Sequence, residues 1–387
     1  MTLPSFKEML GTLIGTPSIS CTCPDTDQSN LGVIDALATW LVDLNFSVEV
    51  TPIPSLDGHR HGKANLVATL GSGPGGVVLS GHTDTVPFDE DAWQCSPFDI
   101  TDRDDRFYGL GSCDMKGFFP VALRAAKDYA EARLAAPLTI IATADEESTM
   151  AGGRFLLEKG RPRAACAIIG EPTGLIPVYA HKGMMMLSIS LQGSSGHSSN
   201  PDLGRNALDA MHVVMGALIS FRQELAERYR NPGFEVDIPT LNLGCLRAGD
   251  SPNRICDHAE LQIDLRLLPG MDCDAILAEL RRRIDVIAVA HDMPLAAEPF
   301  YPPISPFETD VNGDLVQTLS RLSGNAPGTV AFGTEGPFLQ GLGMETVVFG
   351  PGSIDQAHQP NEYLEHNQIE PATRVLKQVI ERYCRPA

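Results

Sequence analysis

Five short segments of this chain carry side chains able to hold a metal ion or move a proton. Val77-Val-Leu-Ser-Gly-His-Thr-Asp84 ends an apolar run in His82, with Asp84 two positions on. Asp114 sits in the glycine-rich turn Gly109-Leu-Gly-Ser-Cys-Asp-Met-Lys-Gly117. Glu146 and Glu147 lie in Ala144-Asp-Glu-Glu-Ser148, Glu171 in Ile169-Gly-Glu-Pro-Thr173, and His358 in Gln356-Ala-His-Gln-Pro360. A histidine released from a strand end can ligate a metal, and a nearby aspartate can aim its ring through the other nitrogen. Imidazole and carboxylate oxygen both bind Zn²⁺ at about 2.0–2.2 Å, and a carboxylate can bridge two ions roughly 3.5–4 Å apart. Two histidines and three carboxylates therefore suit a pair of zinc-like ions. Singly, each segment has a plainer reading: a structural histidine, a solvated acidic face, a Gly-Glu-Pro turn. Their common placement just past apolar strands is what points to one site.

The elements that must position them follow from periodicity. Strands are expected at 46–53, 64–70, 77–81, 138–143 and 164–169, with helices at 5–14, 29–44, 117–134 and 151–159. Near-continuous apolar strands alternating with helices imply an α/β sheet covered on both faces, and ligands in such sheets bind beyond the carboxyl ends of strands. After residue 181 the texture changes. Alternating strands at 184–191, 240–246 and 260–267 and amphipathic helices at 206–230 and 272–290 describe a small antiparallel α+β unit. The proline-rich 299–306 reads as a return linker, and the α/β pattern resumes with a helix at 310–322, a strand at 345–349 and a helix at 369–384. The expected division is 1–180 plus 295–387 as one domain and 181–294 as a second inserted into it.

Composition narrows the function classes. Lys and Arg number 29 against 49 Asp and Glu, a formal charge of −20 that argues against nucleic-acid binding. No apolar run reaches the roughly 18–20 residues of a membrane helix, and the start Met1-Thr-Leu-Pro-Ser-Phe-Lys-Glu8 has no basic-then-apolar leader. The nine cysteines are scattered without a Cys-x-x-Cys pair. Together these point to reduced thiols and a cytoplasmic location.

Taken in order, Gly81-His-Thr-Asp-Thr-Val-Pro87, Asp114-Met-Lys-Gly117, Asp145-Glu-Glu147, Gly170-Glu-Pro-Thr173 and Ala357-His-Gln-Pro360 resemble the motifs of the di-zinc aminoacylase/carboxypeptidase metallohydrolases, over essentially the whole chain. The resemblance implies a zinc-peptidase-like catalytic domain, a mixed sheet sandwiched by helices, with an inserted α+β lid that also forms a homodimer. It implies two Zn²⁺ ions, with Co²⁺ as a possible substitute. His82 and Glu171 would hold one ion, Glu147 and His358 the other, and Asp114 would bridge them beside a cis Asp114–Met115 peptide. Glu146 becomes the general base, Asp84 the partner that aims His82, and His197, in Gly193-Ser-Ser-Gly-His-Ser-Ser199, an oxyanion donor from the lid of the other subunit.

Substrate choice needs a carboxylate reader. Arg266, in Ile263-Asp-Leu-Arg-Leu-Leu-Pro269, is the leading candidate because a guanidinium meets a carboxylate bidentately. Asn253, Gly333 and Thr334 match family positions near the substrate, Lys182 is a further candidate, and Glu335 is a candidate partner for a cationic side chain. The expected reaction is hydrolysis of the acetyl amide of N-acetyl-L-ornithine, a small-molecule substrate. The alternatives are acetylcitrulline, acetylmethionine, succinyl-diaminopimelate or a dipeptide. A non-catalytic scaffold is the alternative from another class; retention of every ligand and the base argues against it.

Overall fold

The computed structural model describes residues 3–54 and 62–385. Met1 and Thr2, the first residues of the expected leaderless N-terminus, lie outside them. Two compact units are present: Met1–Tyr179 with Thr309–Gly328 and Thr334–Ala387, and Ala180–Glu308 with Thr329–Gly333.

The apolar runs of the first unit fold as buried strands. Leu138–Thr143, Val77–His82, Cys166–Ile169 and Glu345–Val348 pair in parallel, each neighbour to the next. Ala64–Leu70 and Ser47–Pro52 extend one side antiparallel, and Val178 meets Val348 antiparallel at the other. The sheet is therefore mixed, as expected. Successive side chains of a strand point to opposite faces, and Ala64–Leu70 shows what covers each. Leu66 and Ala68 join the core with Val33, Ile34 and Leu37 of the helix Leu31–Asp43. Asn65, Val67 and Thr69 face Phe155 and Leu156 of the helix Ala151–Lys159.

The second unit is an antiparallel sheet in the order Thr240–Ala248, His258–Leu267, Gly183–Gln192, Leu295–Pro299. Met185, Leu187, Ile189 and Leu191 alternate inward, and the helices Ala207–Arg228 and Cys273–Ala290 bury Val214, Leu218, Ile276 and Leu280. Asn206 and Asp272 cap them through Leu208 N and Ala275 N.

Two expectations are corrected and one element is added. Residues 295–308 belong to the second unit, because Leu295–Pro299 pairs with Leu187–Leu191 and Ile304 bridges Met184. Pro299 is tolerated because it closes an edge strand. Helix 117–134 is shorter: it runs Phe118–Ala126 and tightens into a 3₁₀ turn at Lys127–Tyr129, where the Tyr129 hydroxyl donates to Lys377 O at 2.9 Å. A three-stranded sheet of Thr101–Arg103, Arg106–Tyr108 and Tyr363–Glu365 was not foreseen. Among the described residues no helix is long and apolar enough to cross a membrane.

Candidate metal centre and active site

Parallel pairing sets His82 beside Thr143, Ser80 beside Ile169, and Val348 beside Ile169. The chain thus leaves four strands at one rim, and the residues that follow carry Glu146, Glu147, Glu171 and His358. Asp114 arrives from the turn before the helix Phe118–Ala126, and its peptide bond to Met115 is cis. Two glycines permit this crowding. A Cβ on Gly170 would lie 2.1 Å from the Phe118 ring. At Gly352, φ is +94° and a Cβ would lie 2.4 Å from Cys113 Sγ.

Asp114 stands between two histidine–glutamate pairs. Its Oδ1 is 3.2 Å from His82 Nε2, which also lies 3.7 Å from Glu171 Oε1. Its Oδ2 is 3.6 Å from His358 Nε2, which lies 3.0 Å from Glu147 Oε2. One donor atom each from His82, Asp114 and Glu147 fall within 4.8 Å of one another. His82 Nδ1 is 3.0 Å from the Asp84 carbonyl oxygen, which can only accept. The proton therefore sits on Nδ1, and in the neutral ring the Nε2 lone pair faces Asp114 and Glu171.

Electrostatics report crowding of like charge. Burial raises Glu146 well above the usual carboxylate range; Glu171 and Glu147 add to this while His82 opposes it. Burial pushes Glu171 up to about 8. Burial would lower His82, but Glu171 and Asp114 hold it well above its ordinary value. The hydrogen bond with Glu147 raises His358 to about 9. Glu171 Oε1 is buried without a hydrogen bond. An orphan acceptor among imidazoles and carboxylates is a donor set that divalent cations satisfy, so the residues fit a metal pair.

The expected role of Asp84 is refined. Its backbone carbonyl, not its carboxylate, meets His82; Oδ1 is 3.7 Å from the ring. The carboxylate instead accepts the backbone N–H groups of Glu146 and Glu147 at 3.3 and 3.0 Å. It holds the loop that presents both glutamates. Residues that sequence reasoning missed hold the same loop. Asp145, at φ +59°, is bound by Lys63 Nζ and by Ser20 Oγ at 2.8 Å, and Lys63 also meets Asp27 at 2.6 Å. Asn65 accepts from Ala144 N at 3.2 Å and donates to Gly152 O at 2.9 Å. Sequence offers no local signal for these partners, which lie far along the chain.

The other expected residues divide between the units. His197, Asn253, Arg266, Lys182 and Gly333 lie in the second unit, Thr334 and Glu335 in the first. His197 is exposed, and its Nδ1 accepts from Ser199 Oγ at 2.8 Å. Arg266 Nε donates to Asp264 at 3.1 Å. Asn253 Oδ1 accepts from Ser251 Oγ at 2.6 Å, and Thr334 Oγ1 accepts from Gly336 N.

Two of the expected substrate residues are buried within their own units. Glu335 is 2% exposed, accepts from Thr143 Oγ1 at 2.8 Å on one carboxylate oxygen and packs against Gly153, while its Oε1 is buried without a hydrogen bond. Lys182, also 2% exposed, donates to Val236 O and Ile238 O at 2.7 and 2.8 Å. Two of its three N–H donors thus tie down residues 236–238. Lys182→Met should therefore lower stability by about 1.5–3 kcal/mol, the range for hydrogen bonds to a charged group, with KM unchanged. Denaturant unfolding and steady-state kinetics check this; a raised KM at unchanged stability would support the expected substrate role instead.

A profile of Peptidase family M20/M25/M40 matches residues 78–382. The chain belongs to this family. It is a hydrolase of this metallopeptidase family, as its motifs led one to expect. An acetylornithine deacetylase of Photorhabdus laumondii subsp. laumondii is 44% identical over 382 residues, covering 99% of this chain and 98% of that one. Two solved structures share the fold. A tripeptidase of Staphylococcus aureus has a TM-score of 0.74 at 18% identity, covering 97% of each chain. An M20 family metallo-carboxypeptidase of Sulfolobus solfataricus has a TM-score of 0.74 at 20% identity, covering 98% of this chain and 99% of that one.

Proposed function

We propose that this chain hydrolyses N-acetyl-L-ornithine to L-ornithine and acetate, as a cytoplasmic step of arginine biosynthesis. One arrangement supports the reaction: the Asp114 carboxylate between the His82/Glu171 pair and the Glu147/His358 pair. The choice of substrate is supported by the 44% identity to a named deacetylase across 99% of the chain.

In this reading His82 and Glu171 would hold one Zn²⁺, Glu147 and His358 the other, and Asp114 would serve both, with Co²⁺ able to substitute. Such ions, when bound, lower the pKa of a water and polarise an acyl carbonyl. Glu146 takes the water's proton on a carboxylate oxygen and returns it to the leaving amine nitrogen. Asp84 keeps Glu146 in place through the loop amide. His197 donates to the developing oxyanion; with Nδ1 accepting from Ser199, its neutral form carries the proton on Nε2 and is a donor. Arg266 offers its two terminal nitrogens to the substrate carboxylate while Asp264 fixes Nε. Asn253, Gly333 and Thr334 complete the substrate contacts. A homodimer through the second unit is part of this reading.

The test is a kinetic panel on metal-reconstituted protein: N-acetyl-L-ornithine, acetylcitrulline, acetylmethionine, succinyl-diaminopimelate and a dipeptide. The expected kcat/KM for N-acetyl-L-ornithine exceeds the others by at least about tenfold, or ~1.4 kcal/mol. A faster dipeptide or succinyl substrate would sink the assignment.

A further inference from the structure

Glu362 lies four residues past His358 and is 2% exposed. Its carboxylate accepts three backbone N–H groups from the turn that carries Asp114: Gly111 at 2.9 Å on Oε2, and Cys113 at 2.7 Å and Asp114 at 2.9 Å on Oε1. Its own carbonyl accepts from Gly109 N at 3.1 Å. The register Tyr363↔Tyr108 brings it to that turn. Three amides of one turn thus converge on a single carboxylate, and such charge-assisted hydrogen bonds are stronger than neutral ones.

We propose that Glu362 is a positioning residue that sets the Asp114 carboxylate between the two histidine–glutamate pairs and couples its placement to that of His358. One short segment supplies both His358 and the clamp on the Asp114 turn, so the two sides of the centre are assembled by the same stretch of chain. The inference rests on the reading of these residues as a metal centre.

Glutamine is the informative replacement. It has the same shape but one acceptor oxygen, and its NH₂ would point at an N–H of Gly111 or of Cys113 and Asp114, donor against donor. Residues that orient metal ligands are typically worth 10–100-fold in affinity or activity. In full-length Glu362→Gln, Zn²⁺ titration of the metal-stripped protein should show an affinity about 10–100-fold below the parent's at one or both sites. On the same scale kcat should fall with KM within about twofold. A merely structural role would lower the melting temperature of the stripped protein and leave Zn²⁺ affinity unchanged; that result overturns the proposal. If the variant does not fold, hydrogen exchange of the parent decides. The amides of Gly111, Cys113 and Asp114 should be protected in the stripped protein like those of the buried strands, and rapid exchange there overturns the clamp. A parent that binds no Zn²⁺ would instead overturn the reading of the metal centre itself.

Discussion

Replacing Glu146 with alanine should lower kcat by about 10²–10⁴-fold, the usual contribution of a positioned general acid–base, while bound metal stays at the parent's level. That loss corresponds to about 3–5 kcal/mol of transition-state stabilisation. The two glutamates of Ala144–Ser148 separate by what they touch. Glu147 is hydrogen-bonded to His358 at 3.0 and 3.1 Å and shares a cluster of donor atoms with His82 and Asp114; Glu146 is not part of that cluster. Both backbone amides are held by one carboxylate, Asp84, so Glu146 is carried on a fixed loop although its side chain is not spent on a partner ligand. Glu146→Asp, shorter by one methylene, should fall between parent and alanine. Elemental analysis of metal content beside steady-state kinetics separates the two glutamates. Glu147→Ala should lose one of the two ions and turnover together, Glu146→Ala turnover alone. Turnover within tenfold of the parent in Glu146→Ala would refute the base assignment.

What was legible in the chain follows from range. His82, Glu147, Glu171 and His358 follow strands that are short, apolar and closed by glycine or a turn. Parallel pairing then forces their ends to one rim whatever the details, so the cluster could be expected from local pattern and sheet topology together. The fate of individual polar groups could not. Glu335 finds Thr143 across 192 positions, and Lys182 finds its two carbonyls 54 and 56 positions on. Such partners are set by packing, and a charged residue read locally defaults to solvent or substrate. Asp84 shows a subtler limit. The spacing His-x-Asp indicates closeness, but whether a carbonyl or a carboxylate meets the ring depends on backbone direction. Leu295–Pro299 was missed for a different reason: Leu-Ala-Ala-Glu-Pro is short, has little alternation and ends in proline, which a sequence reading takes as a break rather than an edge strand.

The carboxylate between the two pairs carries the second large effect. Asp114→Ala should abolish binding of both ions and lower turnover by more than about 10³-fold, since metal assistance is worth several kcal/mol. His358→Ala, in contrast, removes a ligand from one side and should retain one ion per chain. The asymmetry follows from geometry. His82 and His358 each approach a different oxygen of Asp114, at 3.2 and 3.6 Å, so this carboxylate alone belongs to both groups. Its loss leaves each side with one imidazole and one glutamate, short of the three or four protein ligands a stable Zn²⁺ site uses. Metal binding is also linked to folding. At free metal a thousandfold above Kd, a site adds about 4 kcal/mol to stability. Chelation should therefore lower the melting temperature of the parent, lower that of His358→Ala less, and leave that of Asp114→Ala unmoved. Melting curves with and without chelator, read beside metal stoichiometry, check all three. Two ions retained in Asp114→Ala would mean that the pairs bind independently and that Asp114 serves only to orient His82.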